Sequence, residues 1–139
     1  MKMACALLIA ASLAHGAERD PAADAWDVVA TMAAALAEPN EYAFMKPVSK
    51  SLEEYGMLER QVRTLVQTND IVSAISPVTN EGDDKERRLE VDWYVEIKPQ
   101  ASNQTMTQRH QNVKLTLVKN GKRWMITSLT PITFFAPPN

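Results

Sequence analysis

Very little in this sequence invites covalent or nucleotide chemistry. One cysteine occurs in 139 residues, Cys5, and it lies in the apolar leader. Once that leader is removed, disulfides, thiol nucleophiles and cysteine-based zinc sites are all excluded. Glycine occurs four times, never in the spacing of a phosphate-cradling loop. Histidine occurs twice, at His15 and His110, so a triad or a histidine-based metal set would have to be built around His110. No excess of positive charge exists either. The formal net charge is -2, and loss of Lys2 with the leader leaves 14 basic against 17 acidic side chains. That balance argues against nucleic acid, whose phosphates are met by clustered Lys and Arg.

What is present is ordinary globular material, 45% hydrophobic and 23% charged, enough for one core and too short for two. Residues 1-17 have the three parts of a secretory signal. Lys2 is the positive start, Ala4 to Leu13 form the apolar run, and Ala14-His15-Gly16 puts small residues at the cleavage positions. The run is shorter than the roughly 20 residues that span a bilayer. The expectation is an exported chain, periplasmic or extracellular, cut near Gly16/Ala17, with residues 18-139 forming a single domain and no stable membrane span.

Asp20-Pro21 suits a helix start, and Trp26, Val29, Ala30, Ala33, Leu36 and Ala37 recur at helical spacing up to Pro39-Asn40. Tyr42, Phe44 and Met45 fit one or two further helical turns. A third helix is expected from Ser49 through Leu52, Tyr55, Leu58, Val62, Leu65 and Val66, weakened at Gly56. The period then changes. Ile71 to Val78 reads as a strand closed by Pro77, followed by a polar loop from Asn80 to Lys85. From Arg88 to Lys98 the alternation is strict: Leu89, Val91, Trp93, Val95 and Ile97 face one way, and Glu90, Asp92, Tyr94 and Glu96 the other. Further strands are expected over Gln108–Val118 and Lys122–Thr130, with Asn120-Gly121 as the central pair of a hairpin turn. Helices first and hairpin-linked strands afterwards make an α+β domain, N-terminal helices packed on an antiparallel sheet.

The Ala-rich opening helix with Trp26, the Leu89–Ile97 strand and the run Val118-Lys119-Asn120-Gly121-Lys122-Arg123-Trp124-Met125-Ile126-Thr127-Ser128-Leu129 resemble the nuclear transport factor 2-like superfamily. This superfamily includes ketosteroid isomerase-like and SnoaL-like polyketide cyclase domains, and scytalone dehydratases. The "Asp-Trp" strand and the Phe-Phe-Ala-Pro-Pro ending look like a branch of uncharacterised bacterial secreted proteins. The resemblance implies a strongly curved, cone-shaped, cystatin-like sheet, a pocket between it and the helices, and frequent homodimers. No branch's catalytic signature is identifiable, so no catalytic residue is carried over.

Five residues are the candidates for lining such a pocket: Trp26, Trp93 and Trp124 from apolar periodic positions, and Asp92 with Tyr94, a carboxylate and a phenol two residues apart on one strand face. Core packing is the competing reading for the tryptophans, and a hydrated outer surface or dimer contact for Asp92 and Tyr94. Asp83, Asp84 and Glu86 lack the ordered ligand series of a calcium loop. Asn103-Gln104-Thr105 is a formal glycosylation triplet, meaningful only in a eukaryotic secreted chain. Lys119, Lys122 and Arg123 cluster at the last turn, where charges blunt a sheet edge. No metal and no cofactor is implied. The reading that results is a non-catalytic exported domain that binds a small apolar or amphipathic molecule or a protein partner. The alternative is a small isomerase- or dehydratase-like enzyme with a pocket carboxylate as general base.

Overall fold

The computed structural model describes residues 20–101 and 103–138. The leader, Cys5 and the cleavage positions lie outside the described residues. Helix α1 runs Pro21–Ala37, α2 Glu41–Met45 and α3 Tyr55–Thr68, followed by strands β1 Asn69–Gly82, β2 Glu86–Pro99, β3 Thr107–Asn120 and β4 Arg123–Thr130. A 3-10 turn, Ile132–Phe135, ends the ordered elements. The strands form one curved antiparallel sheet in the order β1-β2-β3-β4. The fold is α+β, as the residue patterns imply.

Local chemistry explains the helix limits. Asp20 accepts a hydrogen bond from the Ala22 amide at 3.1 Å, with Pro21 in the first turn. Asn40 caps α2 in the same way through the Ala43 amide at 3.0 Å. Helix α3 begins later than the sequence suggests. Ser49 to Glu54 is a series of turns, and the helix starts next to Gly56, the weak point anticipated inside it. The displaced segment has another role: Val48 bridges Ile126 in parallel, with Ser49 N–H donating to the Ile126 carbonyl (2.8 Å) and Ile126 N–H to the Pro47 carbonyl (2.7 Å). These two main-chain bonds pair the outer edge of β4 at Ile126, where an edge strand otherwise offers unpaired donors and acceptors.

Strand β1 runs past Pro77 to Gly82, through the stretch expected to be loop. Proline is tolerated because β1 is an edge strand, and the ladder shifts register between Pro77 and Thr79. Only Asp83, Asp84 and Lys85 remain between β1 and β2. Gly82 has φ 136°, and a Cβ there would sit 2.1 Å from the Glu86 carbonyl oxygen, so glycine is required. The last hairpin is also one residue out of step with expectation. Asn120 pairs with Arg123, leaving Gly121-Lys122 as the central pair, with Gly121 at φ 66°.

The core lies between the helices and one face of the sheet. Helix α1 contributes Ala25, Val29, Met32 and Leu36, and α3 contributes Leu58, Val62, Leu65 and Val66. Opposite them are all five alternating residues of β2, from Leu89 to Ile97, with Val113, Leu115 and Leu117 of β3. Fully burying such side chains contributes about 1.5–3 kcal/mol each before ordering entropy is subtracted. At one end, buried Arg87 donates to the Asn80 side chain and carbonyl, while Asn80 donates to the Ala22 carbonyl at 2.9 Å. This network ties the β1–β2 hairpin to the start of α1. No described helix is long and apolar enough to cross a membrane.

Candidate functional site

The space between the helices and β2, where a pocket was expected, is occupied by the protein's own aromatic rings. Trp93 is fully buried, with Phe135 edge-on at 5.0 Å between centroids and Phe134 at 6.0 Å. Phe44 from α2 meets Phe135 at 5.2 Å. These are favoured tilted and edge-to-face geometries. The indole N–H of Trp93 donates to Ser73 Oγ at 3.0 Å, so its one polar atom is satisfied. The Phe134–Phe135 segment is held from the sheet by Arg109, whose guanidinium donates to the carbonyls of Phe134 (2.8 Å) and Ala136. Burial pushes the Arg109 pKa down from its ordinary value.

The five candidate residues therefore do not converge. Trp93 lies at the centre of the core, and Trp26 packs partly buried against it from α1. Trp124 is buried on β4, with the Lys119 ammonium 5.7 Å from its ring centroid and no hydrogen-bond acceptor for its Nε1 among the described residues. Asp92 and Tyr94 share a face, as the alternation requires, but it is the face turned away from the helices. There Asp92 Oδ1 is 2.8 Å from His110 Nε2, and the two side chains are 42% and 62% exposed. Tyr94 donates to Glu96 and sets its ring edge-on to His110 at 5.9 Å. The bond to Glu96 is the first cause of a raised Tyr94 pKa, followed by desolvation and the Glu96 charge. Glu90 accepts from Asn112 at 3.1 Å on the same surface. This is a hydrated polar ladder. It lacks the enclosure that would exclude water and tune a general base.

Two concavities lie at the sheet's β4 end, and a more polar one of about 730 Å³ lies between the end of α3, the β2–β3 connection and Pro137-Pro138. A cleft of about 790 Å³ opens between the segment Glu41–Lys50, the first turns of α3 and the β3–β4 hairpin. Its apolar lining comes from Met45, Val48, Val118 and Met125, and Lys46, Lys50, Lys119 and Arg123 stand around it. A neighbouring cleft of about 580 Å³ shares Lys46 and Arg123 and includes Trp124, Asp24 and Asp27. The sequence pattern shows Lys119 and Arg123 as a turn cluster; Lys46 and Lys50 join them only through the Val48–Ile126 bridge, which carries no sequence signal. Among the described residues, no group of three or more His, Cys, Asp or Glu side chains could hold a metal ion.

Solved structures with the same architecture decide the fold. A conserved protein from Planctomyces limnophilus superposes with a TM-score of 0.69 at 6% identity, over 76% of this chain and 90% of that one. A nuclear transport factor 2-like superfamily protein from Salmonella enterica gives 0.65 at 9% identity, over 86% of this chain and 92% of that one. The chain has the nuclear transport factor 2-like fold. A suggested scytalone dehydratase from Novosphingobium aromaticivorans superposes equally well, 0.65 at 8% identity, over 76% of this chain and 78% of that one. No protein-family model and no curated protein matches the sequence. At such identities the nuclear transport factor 2-like fold alone is shared, and the fold does not choose between an enzyme and a binding domain.

Proposed function

We propose that this is a non-catalytic binding domain of an exported protein, and that it works through its surface at the β4 end of the sheet. The observation that carries this reading is the filled interior. Trp93, Phe134, Phe135 and Phe44 contact one another where a pocket enzyme of this fold would hold substrate. Catalysis by a carboxylate would need an enclosed base within hydrogen-bond reach of substrate. Asp92 and Glu96 instead stand on the open face, Asp92 beside His110 and Glu96 beside Tyr94. The mixed apolar and cationic lining of the larger cleft supports a small amphipathic ligand, and its volume is within the roughly 300–1,000 Å³ typical of ligand sites.

The test is a nuclear magnetic resonance titration with an uncharged apolar probe such as naphthalene, following the Trp93 indole N–H and the Phe135 ring. The expected outcome is no saturable shift at either group. Saturable shifts of the Trp93 indole would establish an accessible interior pocket and overturn the reading in favour of the isomerase- or dehydratase-like alternative.

A further inference from the structure

The charges around the larger cleft are not balanced by their neighbours. Its two acids, Glu41 and Glu59, are engaged by Arg63, at 2.9 and 3.6 Å. Beside them Tyr55 has its pKa raised by burial first, then by the Glu59 and Glu41 charges, so it stays a neutral phenol. The cations have no such partners. Lys46, Lys50, Lys119 and Arg123 have no carboxylate of the described residues within 4.0 Å. They come from two segments far apart in sequence, which the backbone bonds of Pro47 and Ser49 to Ile126 hold together. Between them the lining is apolar: Met45, Val48, Val118 and Met125. The arrangement stands out because the whole chain is net acidic.

Unpaired cations held around apolar side chains match one ligand chemistry: an anionic head on a hydrocarbon tail. Either half alone is a poor fit. A small anion would leave Val118, Met125 and the exposed ring of Tyr42 facing water, and a neutral hydrocarbon would make no use of the cations. We infer that this cleft binds single long-chain anions, with the tail over Tyr42, Val118 and Met125, above the buried Met45, and the head between Lys46, Lys119 and Arg123. The inference rests on the surface-binding reading above and gives it a ligand class. The shared chemistry is an alkyl chain ending in a carboxylate, sulfate or phosphate.

The experiment is a titration with dodecanoate below its micelle concentration, following the methyl signals of Met45 and Met125 and the Trp93 indole N–H. Saturable shifts at both methionines are expected, with none at Trp93. Acetate should give no shift at equal concentration, and dodecanol should bind at least about tenfold more weakly. The double variant Lys46→Glu/Lys119→Glu should weaken dodecanoate about tenfold or more and leave the thermal unfolding midpoint nearly unchanged, since both lysines are exposed. Lys98→Glu, on β2 and outside the cleft lining, should leave affinity unaltered. Dodecyl sulfate and dodecyl phosphate, as separate arms, report which head is preferred; binding of either at the two methionines supports the ligand class. No methionine shift with any of the three anions overturns the inference and leaves the surface-binding reading standing. Equal binding of dodecanol overturns the role of charge. Adsorption to anionic vesicles without binding of a monomeric anion replaces the ligand with a membrane surface. Shifts at Trp93 overturn the inference and the reading beneath it together.

Discussion

The two faces of β2 have opposite fates. On one, Leu89, Val91, Trp93, Val95 and Ile97 are shut off from water by two helices and a C-terminal aromatic turn. On the other, Glu90, Asp92, Tyr94 and Glu96 stay partly exposed and pair across to Asn112, His110 and Lys114 of β3, or along the strand. Between residues 89 and 97 the carboxylates and the phenol stand on the wet face, while the dry face carries aliphatic chains and Trp93, with the cations Arg87 and Arg109 bonded to protein oxygens at its ends. The consequence is that apolar substitutions should change stability, and polar substitutions on the outer face should change little.

The most severe test is Trp93→Ala. Truncating a fully buried tryptophan costs about 3–5 kcal/mol, and urea unfolding should show the whole of it, since Trp93 also loses its rings' contacts with Phe134 and Phe135. Next is Arg109→Met, which keeps the side chain's bulk and removes the two hydrogen bonds to the Phe134 and Ala136 carbonyls. A loss of about 1–2 kcal/mol is expected, toward the low end of charged hydrogen bonds because the guanidinium is part-exposed. Hydrogen exchange should quicken selectively at Phe134 and Ala136, whose amides bond only locally. Asp92→Asn should stay within about 0.5 kcal/mol of the parent, as an exposed change. A loss as large as that of Arg109→Met would mean the outer face is not simply hydrated.

The smallest effects are in pH. Tyr94 has a raised pKa in the folded chain, so its contribution is intact below the ordinary tyrosine value and is lost as pH rises through the folded one. Glu96→Gln should lower the Tyr94 pKa in a spectrophotometric titration. Asp83 is the opposite case. Bonds from the Glu86 and Lys85 amides lower its pKa, so its contribution is present above the ordinary aspartate value and is lost as pH falls through the folded one. Asp83→Asn should flatten the acid limb of the stability curve slightly, and no change there would mean the turn does not rely on that charge.

The contrast between faces was legible in the sequence, because a period of two over eleven residues leaves one consistent division. The antiparallel order was legible because hairpins are local. What misled was also local. Pro77 and the polar run after it read as the end of β1, but on an edge strand a proline costs no ladder bond and pairing continues. The reading of Ser49 as a helix start overlooked Val48, whose pairing with Ile126 is set by residues nearly eighty positions away. That same bridge assembles Lys46 and Lys50 with Lys119 and Arg123, so the cleft had no signature beyond the basic turn. The five candidate residues stand on different elements and faces, a division that the alternation of β2 already made between Trp93 and the pair Asp92 and Tyr94.

One measurement addresses the filled interior most directly: xenon binding, followed by density in pressurised crystals. Xenon settles in apolar cavities that water avoids. No xenon is expected among Trp93, Phe134, Phe135 and Phe44, and Trp93→Ala should create a xenon site at that position. A well-occupied xenon site against the Trp93 ring of the unaltered protein would show a cavity there and contradict the account.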